Sequence, residues 1–227
     1  MRTPECTCET FIGIRNWPRS KNQPCGPGEA LPMMRPPKCK QNRTLGRGSS
    51  HAPTPLGGHC IPIDPFYLTW KAREFGHHTR FIELAGEINN SMPSYVIQRT
   101  MEGLNELGKA MRGAKVLVIG LAYKPDVDDF RETPAAEIIK LLFDHGADVT
   151  DHDPHVPLFA GMRNYLQYHM HSVPLEEDLL KQSDCVLIVT NHATIDWRLI
   201  ATHASLVVDS RNAMADLLPI NGTYRQA

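Results

Sequence analysis

The stretch Lys115-Val116-Leu117-Val118-Ile119-Gly120 decides the fold class of this chain. It is a short, continuous apolar run, which is typical of a strand in a parallel sheet that is covered on both faces. The segment from Gly120 to Arg131 then connects this strand to a helix. Such a connection lies at the carboxyl edge of the sheet, where α/β folds bind their ligands.

Strand and helix patterns alternate from Gly113 to the end of the chain. Thr133-Pro134 is expected to cap a helix that runs to His145 and is closed by Gly146. The later predicted elements are a strand at Asp148–His152, a helix at Asp178–Gln182, a strand at Cys185–Thr190, a helix at Asp196–Thr202 and a strand at Leu206–Asp209. This alternation predicts a doubly wound, Rossmann-like parallel-sheet domain over residues 113–227, within an α/β fold.

Residues 56–112 predict a central helical segment. Asp64-Pro65 supplies an N-cap and a proline at the first position of a helix that Gly76 ends. A longer helix is predicted from Ile82 to Ala110, because its apolar residues step by three and four. Pro93 is expected to kink this helix or to start a new segment. Its periodicity fits a contact between subunits and a core helix equally well.

Residues 1–55 are predicted to be an irregular, disordered or non-native N-terminal segment. Residues 1–50 carry nine Lys or Arg against three Asp or Glu, scattered among Pro, Gly and Asn. Without interleaved aromatic residues, this charge indicates a solvated tail rather than a surface for nucleic acid. Four of the six cysteines lie here, but the paired C-x₂-C knuckles of structural zinc sites are absent from their spacing.

Composition places the chain among soluble globular proteins, with 41% hydrophobic and 22% charged residues. No apolar run reaches the length of a membrane span, and residues 1–9 do not resemble a signal peptide. We therefore expect a cytoplasmic protein with reduced thiols and no membrane partner.

A second informative stretch is Gly57-Gly58-His59-Cys60-Ile61-Pro62-Ile63-Asp64-Pro65. Its two glycines let the backbone approach a ligand closely, and a thiol follows at once. Asp64 is placed to deprotonate a water, to cap the following helix, or to do both. This layout suits the formation and hydrolysis of a thioester on Cys60. A buried structural cysteine in a Gly-Pro turn fits the local string as well.

Three separated strings together resemble the C-terminal half of the UDP-glucose/GDP-mannose dehydrogenase family, the nucleotide-sugar 6-dehydrogenases. They are the Gly57–Pro65 string, Gly120–Pro134 (GLAYKPDVDDFRETP) and Val208-Asp209-Ser210-Arg211-Asn212. The likeness runs from about Leu56 to the C-terminus and is greatest to the UDP-N-acetylglucosamine and UDP-N-acetylmannosamine 6-dehydrogenases. His59 in particular is similar to the family members that act on N-acetylhexosamines.

The resemblance implies an NAD-dependent, four-electron oxidation of the sugar C6 alcohol to a carboxylate. It implies that Cys60 forms the thiohemiacetal and the thioester and that Asp64 activates the water. It implies NAD contacts for Cys60 and Arg131, and UDP-sugar contacts for Gly57, Gly58, Tyr123, Lys124 and Arg211. Without the resemblance, Lys124 and Arg131 also fit a solvated loop rich in acidic residues.

The family's NAD-binding half is not recognisable in residues 1–55, which contain no G-x-G-x-x-G after a strand. We hypothesise that these residues are a truncation product, a misread frame or a foreign fusion, and that the chain alone is inactive. The alternative is a non-catalytic UDP-sugar-binding or dimerisation module. The resemblance also implies a homo-oligomer through the central helices and, by analogy, a role in polysaccharide biosynthesis.

No metal site is predicted from the histidine spacing. His152-Asp153-Pro154-His155 and His169-x-His171 contain ligand-type side chains. No third ligand follows either pair at the spacing of a metal site, so we interpret these histidines as surface or capping residues.

Overall fold

The computed structural model describes residues 56–58, 60–161, 165 and 167–227. The predictions for residues 1–55 and for His59 lie outside the described residues. The described chain begins with two helices, α1 (Asp64–Glu74) and α2 (Arg80–Glu106). Among the described residues, no helix combines the length and the apolarity needed to cross a bilayer.

The remainder alternates strands and helices, which confirms the predicted α/β class with a parallel sheet. In chain order the elements are β1 (Lys115–Ile119), α3 (Pro134–Asp144), β2 (Asp148–His152), β3 (Leu158–Phe159), β4 (Met170–His171), α4 (Glu177–Gln182), β5 (Cys185–Ile188), α5 (Trp197–His203), β6 (Leu206–Asp209), a 3₁₀ turn (Ala215–Leu217) and β7 (Thr223–Gln226). The short antiparallel pair β3–β4 and the edge strand β7 were not predicted from the sequence.

The main sheet has five strands in the order β2-β1-β5-β6-β7, and every pair is parallel. Along the chain, the crossover from β1 to β2 runs to one side and the later strands run to the other. The direction of winding therefore reverses between β1 and β5. In open α/β sheets the crevice for a ligand lies outside the carboxyl ends of the two strands at such a reversal.

Helix α2 joins the central segment to this sheet. Its C-terminal half buries Val96, Ile97 and Leu104 in the same core as the sheet residues Val116 and Val118. Gly103 permits a close approach, because a Cβ at this position would lie 3.0 Å from both methyl groups of Leu206. The second half of the helix is thus a core element of the α/β region.

The N-cap of α1 and the end of α2 differ from the predictions. Ile63 occupies the N-cap of α1 and makes no side-chain capping bond, so Asp64 is the first helical residue rather than the cap. Pro65 still falls in the first turn, where a missing backbone N–H costs the helix nothing. Pro93 lies inside the single helix α2 and does not start a new segment, and α2 ends at Glu106 rather than Ala110.

Gly120 ends β1 in a conformation and a space that suit glycine alone. Its φ is +88°, and a Cβ would lie 2.4 Å from the backbone oxygen of Thr190. Gly113, just before β1, has a similar φ of +79°, but no described atom lies within 4 Å of its Cβ position. The two glycines therefore separate the effect of backbone conformation from that of crowding.

We expect Gly120→Ala to destabilise the fold much more than Gly113→Ala. The left-handed backbone costs an alanine about 1–2 kcal/mol at either position. The contact with Thr190 adds about 1–3 kcal/mol for Gly120→Ala alone, because a backbone atom cannot easily move aside. Urea unfolding of the two variants measures the difference, and equal losses would show that β1 and the Thr190 segment do not approach so closely.

Candidate functional site

The loop between β1 and α3 (residues 120–133), called here the Lys124 loop, carries Tyr123 and Lys124, two of the predicted substrate-binding residues. Tyr123 is half-buried and its backbone N–H donates to the carbonyl oxygen of Asp129 at 3.0 Å. Lys124 is exposed, and its Nζ lies 5.2 Å from the centroid of the Tyr123 ring. This distance is within the range of a cation–π contact, so the ammonium group stands over the ring at the carboxyl edge of the sheet.

Gly57 and Gly58 pack directly against this loop. The N–H of Gly58 donates to the carbonyl oxygen of Glu132 at 3.2 Å. A Cβ on Gly57 would lie 2.7 Å from that same oxygen, and a Cβ on Gly58 would lie 3.0 Å from the Tyr123 ring. Gly58 also has a φ of +84°. Both glycines are therefore required for this contact, which sets the cysteine-bearing segment beside the Lys124 loop.

Asn89 of α2 holds the same segment from its other side. The N–H of Leu56 donates to Asn89 Oδ1 at 2.7 Å, and Asn89 Nδ2 donates to the carbonyl oxygen of Leu56 at 3.2 Å. This pair of bonds fixes the backbone just before Gly57. The position of the segment is thus set by α2 and by the β1–α3 loop together.

Cys60 follows in the turn that leads into α1, and its side chain is exposed. Asp64 is exposed in the first turn of α1. The alternative of a buried structural cysteine applies instead to Cys185, which lies in β5 with no exposed surface. Burial raises the pKa of the Cys185 thiol far above its usual range, with a smaller contribution from Asp184. Of these two thiols, only Cys60 is accessible to a ligand.

A buried carboxylate anchors the Lys124 loop, and the sequence did not indicate its role. Asp153 follows β2 and is 2% exposed. Its two oxygens accept five hydrogen bonds, from the backbone N–H groups of Leu121 (2.6 Å), Ala122 (2.9 Å), His155 (2.7 Å) and Val156 (3.0 Å) and from His192 Nε2 (3.1 Å). These bonds join the end of β1, the end of β2 and the loop after β5.

These bonds also set the charge state of Asp153. Burial by itself disfavours the ionised carboxylate, but the bonds from His192 and from the N–H groups of Ala122 and His155 outweigh it. The net effect lowers the pKa of Asp153 well below its usual range. A carboxylate that accepts several N–H bonds is expected to behave in this way. Asp153 is therefore ionised throughout the physiological range.

His192 extends the network to Asp126. Its Nδ1 accepts from the backbone N–H of Asp126 at 3.0 Å, so its Nε2 carries the proton that is donated to Asp153. Asp126 Oδ1 in turn accepts from the N–H of Ala193 at 2.8 Å. Asp126 has a φ of +59°, an uncommon backbone conformation for a residue with a Cβ. The residue two positions after Lys124 is thus tied to the loop after β5.

The two predicted arginines are held differently. Arg131 is exposed and makes a two-nitrogen ion pair with Asp129, with Nη2 at 2.7 Å from Oδ2 and Nε at 3.0 Å from Oδ1. Arg211, after β6, is half-buried, and its Nε donates to the carbonyl oxygen of Val189 at 2.6 Å. Burial lowers the pKa of Arg211 to about 10, against an opposing effect of Asp209. Arg211 therefore lies at the carboxyl edge, next to the end of β5.

Asp153→Asn is expected to destabilise the protein by about 2–4 kcal/mol at pH 7, because it removes a buried charge that five donors surround. A carboxyl whose folded pKa is depressed stabilises the fold above its unfolded pKa of about 4, and this contribution is lost as the pH falls toward the folded pKa. The variant should therefore lose less stability than the unmodified protein between about pH 5 and pH 2.

Urea unfolding across that pH range measures both effects. Asp128→Asn changes an exposed aspartate of the β1–α3 loop; it is the matched control and should change stability by less than about 0.5 kcal/mol. Parallel pH curves for the protein and for Asp153→Asn would contradict a depressed pKa at Asp153.

Two family models match the chain. The model described as the UDP-glucose/GDP-mannose dehydrogenase family, UDP binding domain, matches residues 117–216. The model for the central domain of the same family matches residues 38–91. The second match begins upstream of Leu56, so the similarity extends further toward the N-terminus than the three strings indicated.

Curated proteins that the chain resembles include UDP-N-acetylhexosamine dehydrogenases. The chain is 34% identical over 137 residues to UDP-N-acetyl-D-mannosamine dehydrogenase of Methanococcus maripaludis, which is 60% of this chain and 28% of that protein. It is 34% identical over 110 residues to UDP-N-acetyl-D-glucosamine 6-dehydrogenase of Pseudomonas aeruginosa, which is 48% of this chain and 26% of that protein. The chain thus spans less than a third of the length of either relative.

A solved structure of the same kind shares the fold. The UDP-D-ManNAc dehydrogenase of Pyrococcus horikoshii superposes with a TM-score of 0.62 at 26% identity, over 75% of this chain and 38% of that chain. The two domain models, the curated relatives and this structure agree with the motifs and the sheet topology. The chain therefore belongs to the UDP-glucose/GDP-mannose dehydrogenase family.

Proposed function

We propose that this chain is the UDP-binding and nucleophile-bearing part of an NAD-dependent UDP-N-acetylhexosamine 6-dehydrogenase. The observation that carries the proposal is the packing of Gly57 and Gly58 on Tyr123. This packing joins the segment that carries the exposed thiol of Cys60 to the loop that carries Lys124, which supports the proposal. That loop lies at the reversal point of the sheet, where α/β proteins bind ligands.

Charge and backbone geometry support a nucleotide diphosphate as the ligand. Lys124 offers an exposed point charge, and Arg211 offers a guanidinium group at the neighbouring strand end. Both suit phosphate oxygens. Gly57 and Gly58 hold their segment against Tyr123, whose ring offers a flat surface to the sugar. In this proposal these five residues contact the UDP-sugar.

The described residues do not by themselves make a dinucleotide site. The turn after β1 begins Gly120-Leu121-Ala122 and lacks the repeated glycines of a G-x-G-x-x-G turn. Arg131, the proposed NAD contact besides Cys60, already forms an ion pair with Asp129 through its guanidinium group. NAD, when bound, would supply the hydride acceptor for the two oxidations.

The proposed chemistry of this chain is that of Cys60 and Asp64. The Cys60 thiolate adds to the C6 aldehyde of the sugar, and the new carbon–sulfur bond gives a thiohemiacetal. After that adduct is oxidised to a thioester, water attacks its carbonyl carbon while Asp64 takes the proton of the water. The carbon–sulfur bond then breaks, the thiol is regenerated and the carboxylate leaves. Sulfur suits both the addition and the departure.

A second candidate is a non-catalytic UDP-sugar-binding or dimerisation module. It is favoured by the poor fit of the described residues to NAD and by an apolar surface on the helices. The large apolar side chains exposed on or next to α1 and α2 include Tyr67 (68%), Trp70 (63%), Phe75 (70%), Phe81 (86%) and Ile88 (51%). A surface of this kind marks an interaction site. It supports the proposed homo-oligomer through the central helices in either candidate function.

Lys124→Ala is expected to weaken UDP binding roughly 10- to 100-fold, the loss typical of a hydrogen bond to a charged group. Isothermal titration calorimetry with UDP measures the change. Lys181→Ala, which removes an exposed lysine from α4, is the matched control and should bind UDP unchanged. No heat from the unmodified chain at high UDP concentration would count against both candidate functions.

The cysteine chemistry can be tested without NAD, by supplying the UDP-N-acetylhexosamine 6-aldehyde directly. The aldehyde is expected to protect Cys60 from iodoacetamide at concentrations where the parent alcohol gives little protection, because only the aldehyde forms the adduct. Peptide mass spectrometry follows alkylation at Cys60, with the cysteines outside the site as internal references.

Equal protection by aldehyde and alcohol would favour the binding module over the enzyme part. In both candidate functions the chain alone should form no NADH from UDP-N-acetylhexosamines and NAD⁺. Steady turnover in that assay would contradict the proposal that the chain supplies only part of the enzyme.

A further inference from the structure

Three metal-ligand side chains converge beside the Lys124 loop. Asp126, His155 and His192 each offer one ligand atom, and these atoms all lie within 4.8 Å of one another. Asp126 Oδ1 is 3.9 Å from His155 Nε2 and 4.0 Å from His192 Nδ1. We propose that these three residues bind a divalent transition-metal ion, with zinc as the ion that best suits the donor set.

His155 supplies the first independent argument. Its Nε2 is buried and has no hydrogen-bond partner among the described residues. Buried polar atoms are nearly always satisfied, so an orphaned ring nitrogen calls for a ligand. Asp126 Oδ1 lies 3.9 Å from this nitrogen. The centroids of the His155 and His192 rings are 4.8 Å apart. A cation between the three groups would satisfy this nitrogen.

His192 supplies the second argument. Its ring is fully buried, and its Nε2 donates to the carboxylate of Asp153 at 3.1 Å. Ligating histidines almost always give their second ring N–H to a carboxylate or a carbonyl oxygen. That bond fixes the tautomer in which Nδ1 has a lone pair, and Nδ1 is the atom that faces Asp126. The ring therefore has the tautomer that a metal ion at Nδ1 requires.

The chemistry of the three ligand atoms indicates which ion would bind. Two imidazole nitrogens and one carboxylate oxygen suit zinc and its neighbours better than calcium or magnesium, which prefer oxygen alone. Zinc–ligand distances are about 2.0–2.2 Å, so the three ligand atoms would have to close by roughly half an ångström or more. The Asp126 side chain is 51% exposed, but its Oδ1 accepts from the N–H of Ala193 at 2.8 Å, and this bond would have to adjust as the ligands close.

Binding also has a cost that limits affinity. His192 Nδ1 now accepts from the backbone N–H of Asp126 at 3.0 Å, and a metal ion would replace that bond. The site has three protein ligands, so at least one position remains open to water or to another ligand. The geometry thus describes an adaptable site of moderate affinity.

Cobalt(II) titration of the metal-free chain of 227 residues tests the proposal. We expect one site whose visible bands arise from nitrogen and oxygen ligands, and zinc should displace the cobalt. His155→Ala and Asp126→Asn should each weaken cobalt binding at least tenfold. His78→Ala removes an exposed histidine near α1 and is the matched control, with unchanged binding expected.

Cobalt bound through the cysteines would show a sulfur-to-metal charge-transfer band in the near ultraviolet. A spectrum with that band alone would overturn the proposal, as would binding that neither His155→Ala nor Asp126→Asn weakens. Absence of cobalt binding would overturn it too. Circular dichroism of each variant shows whether the fold is retained, so that a loss of binding is assigned to the ligand.

Discussion

The buried carboxylate of Asp153 is the constraint on which the arrangement of this site depends. An ionised group inside a protein is tolerated only when donors surround it, and Asp153 has five. Those donors come from the loop after β1, from the turn after β2 and from His192 after β5. Satisfying one charge therefore fixes three connections that are far apart in the sequence. The Lys124 loop takes its position from that requirement.

The sheet order explains why these connections meet. Because β2, β1 and β5 are neighbours and parallel, their carboxyl ends lie side by side at one edge. Gly120 lets β1 end against the backbone of Thr190, and so draws the loops after β1 and β5 together. The glycine pair Gly57-Gly58 then adds the cysteine-bearing segment to the same edge. Close backbone approach thus joins the cysteine-bearing segment to the loop that the Asp153 carboxylate holds in place.

The sequence predicted much of the fold because its strands are continuous apolar runs and its helices have clear ends. Thr133, for example, caps α3 as expected, accepting from the N–H of Ala135. Strand β7 was missed because its residues Thr223–Gln226 are mixed and only half-buried, so they carry no periodic signal. The network around Asp153 was missed for another reason. Its donors Leu121, Ala122 and His192 lie more than 30 residues from Asp153 in the sequence and meet it only in the tertiary fold.

The charge of the Lys124 loop connects the two proposals. Residues 120–133 carry four acidic and two basic side chains, a formal charge of −2. Asp129 is paired with Arg131, but the exposed carboxylate of Asp126 lies two residues from the lysine that would meet a diphosphate. A like charge there opposes an anionic ligand. A divalent ion on Asp126, His155 and His192 would bring the formal charge of the loop to zero and reverse the local field, since a bound cation is the largest charge in such a site.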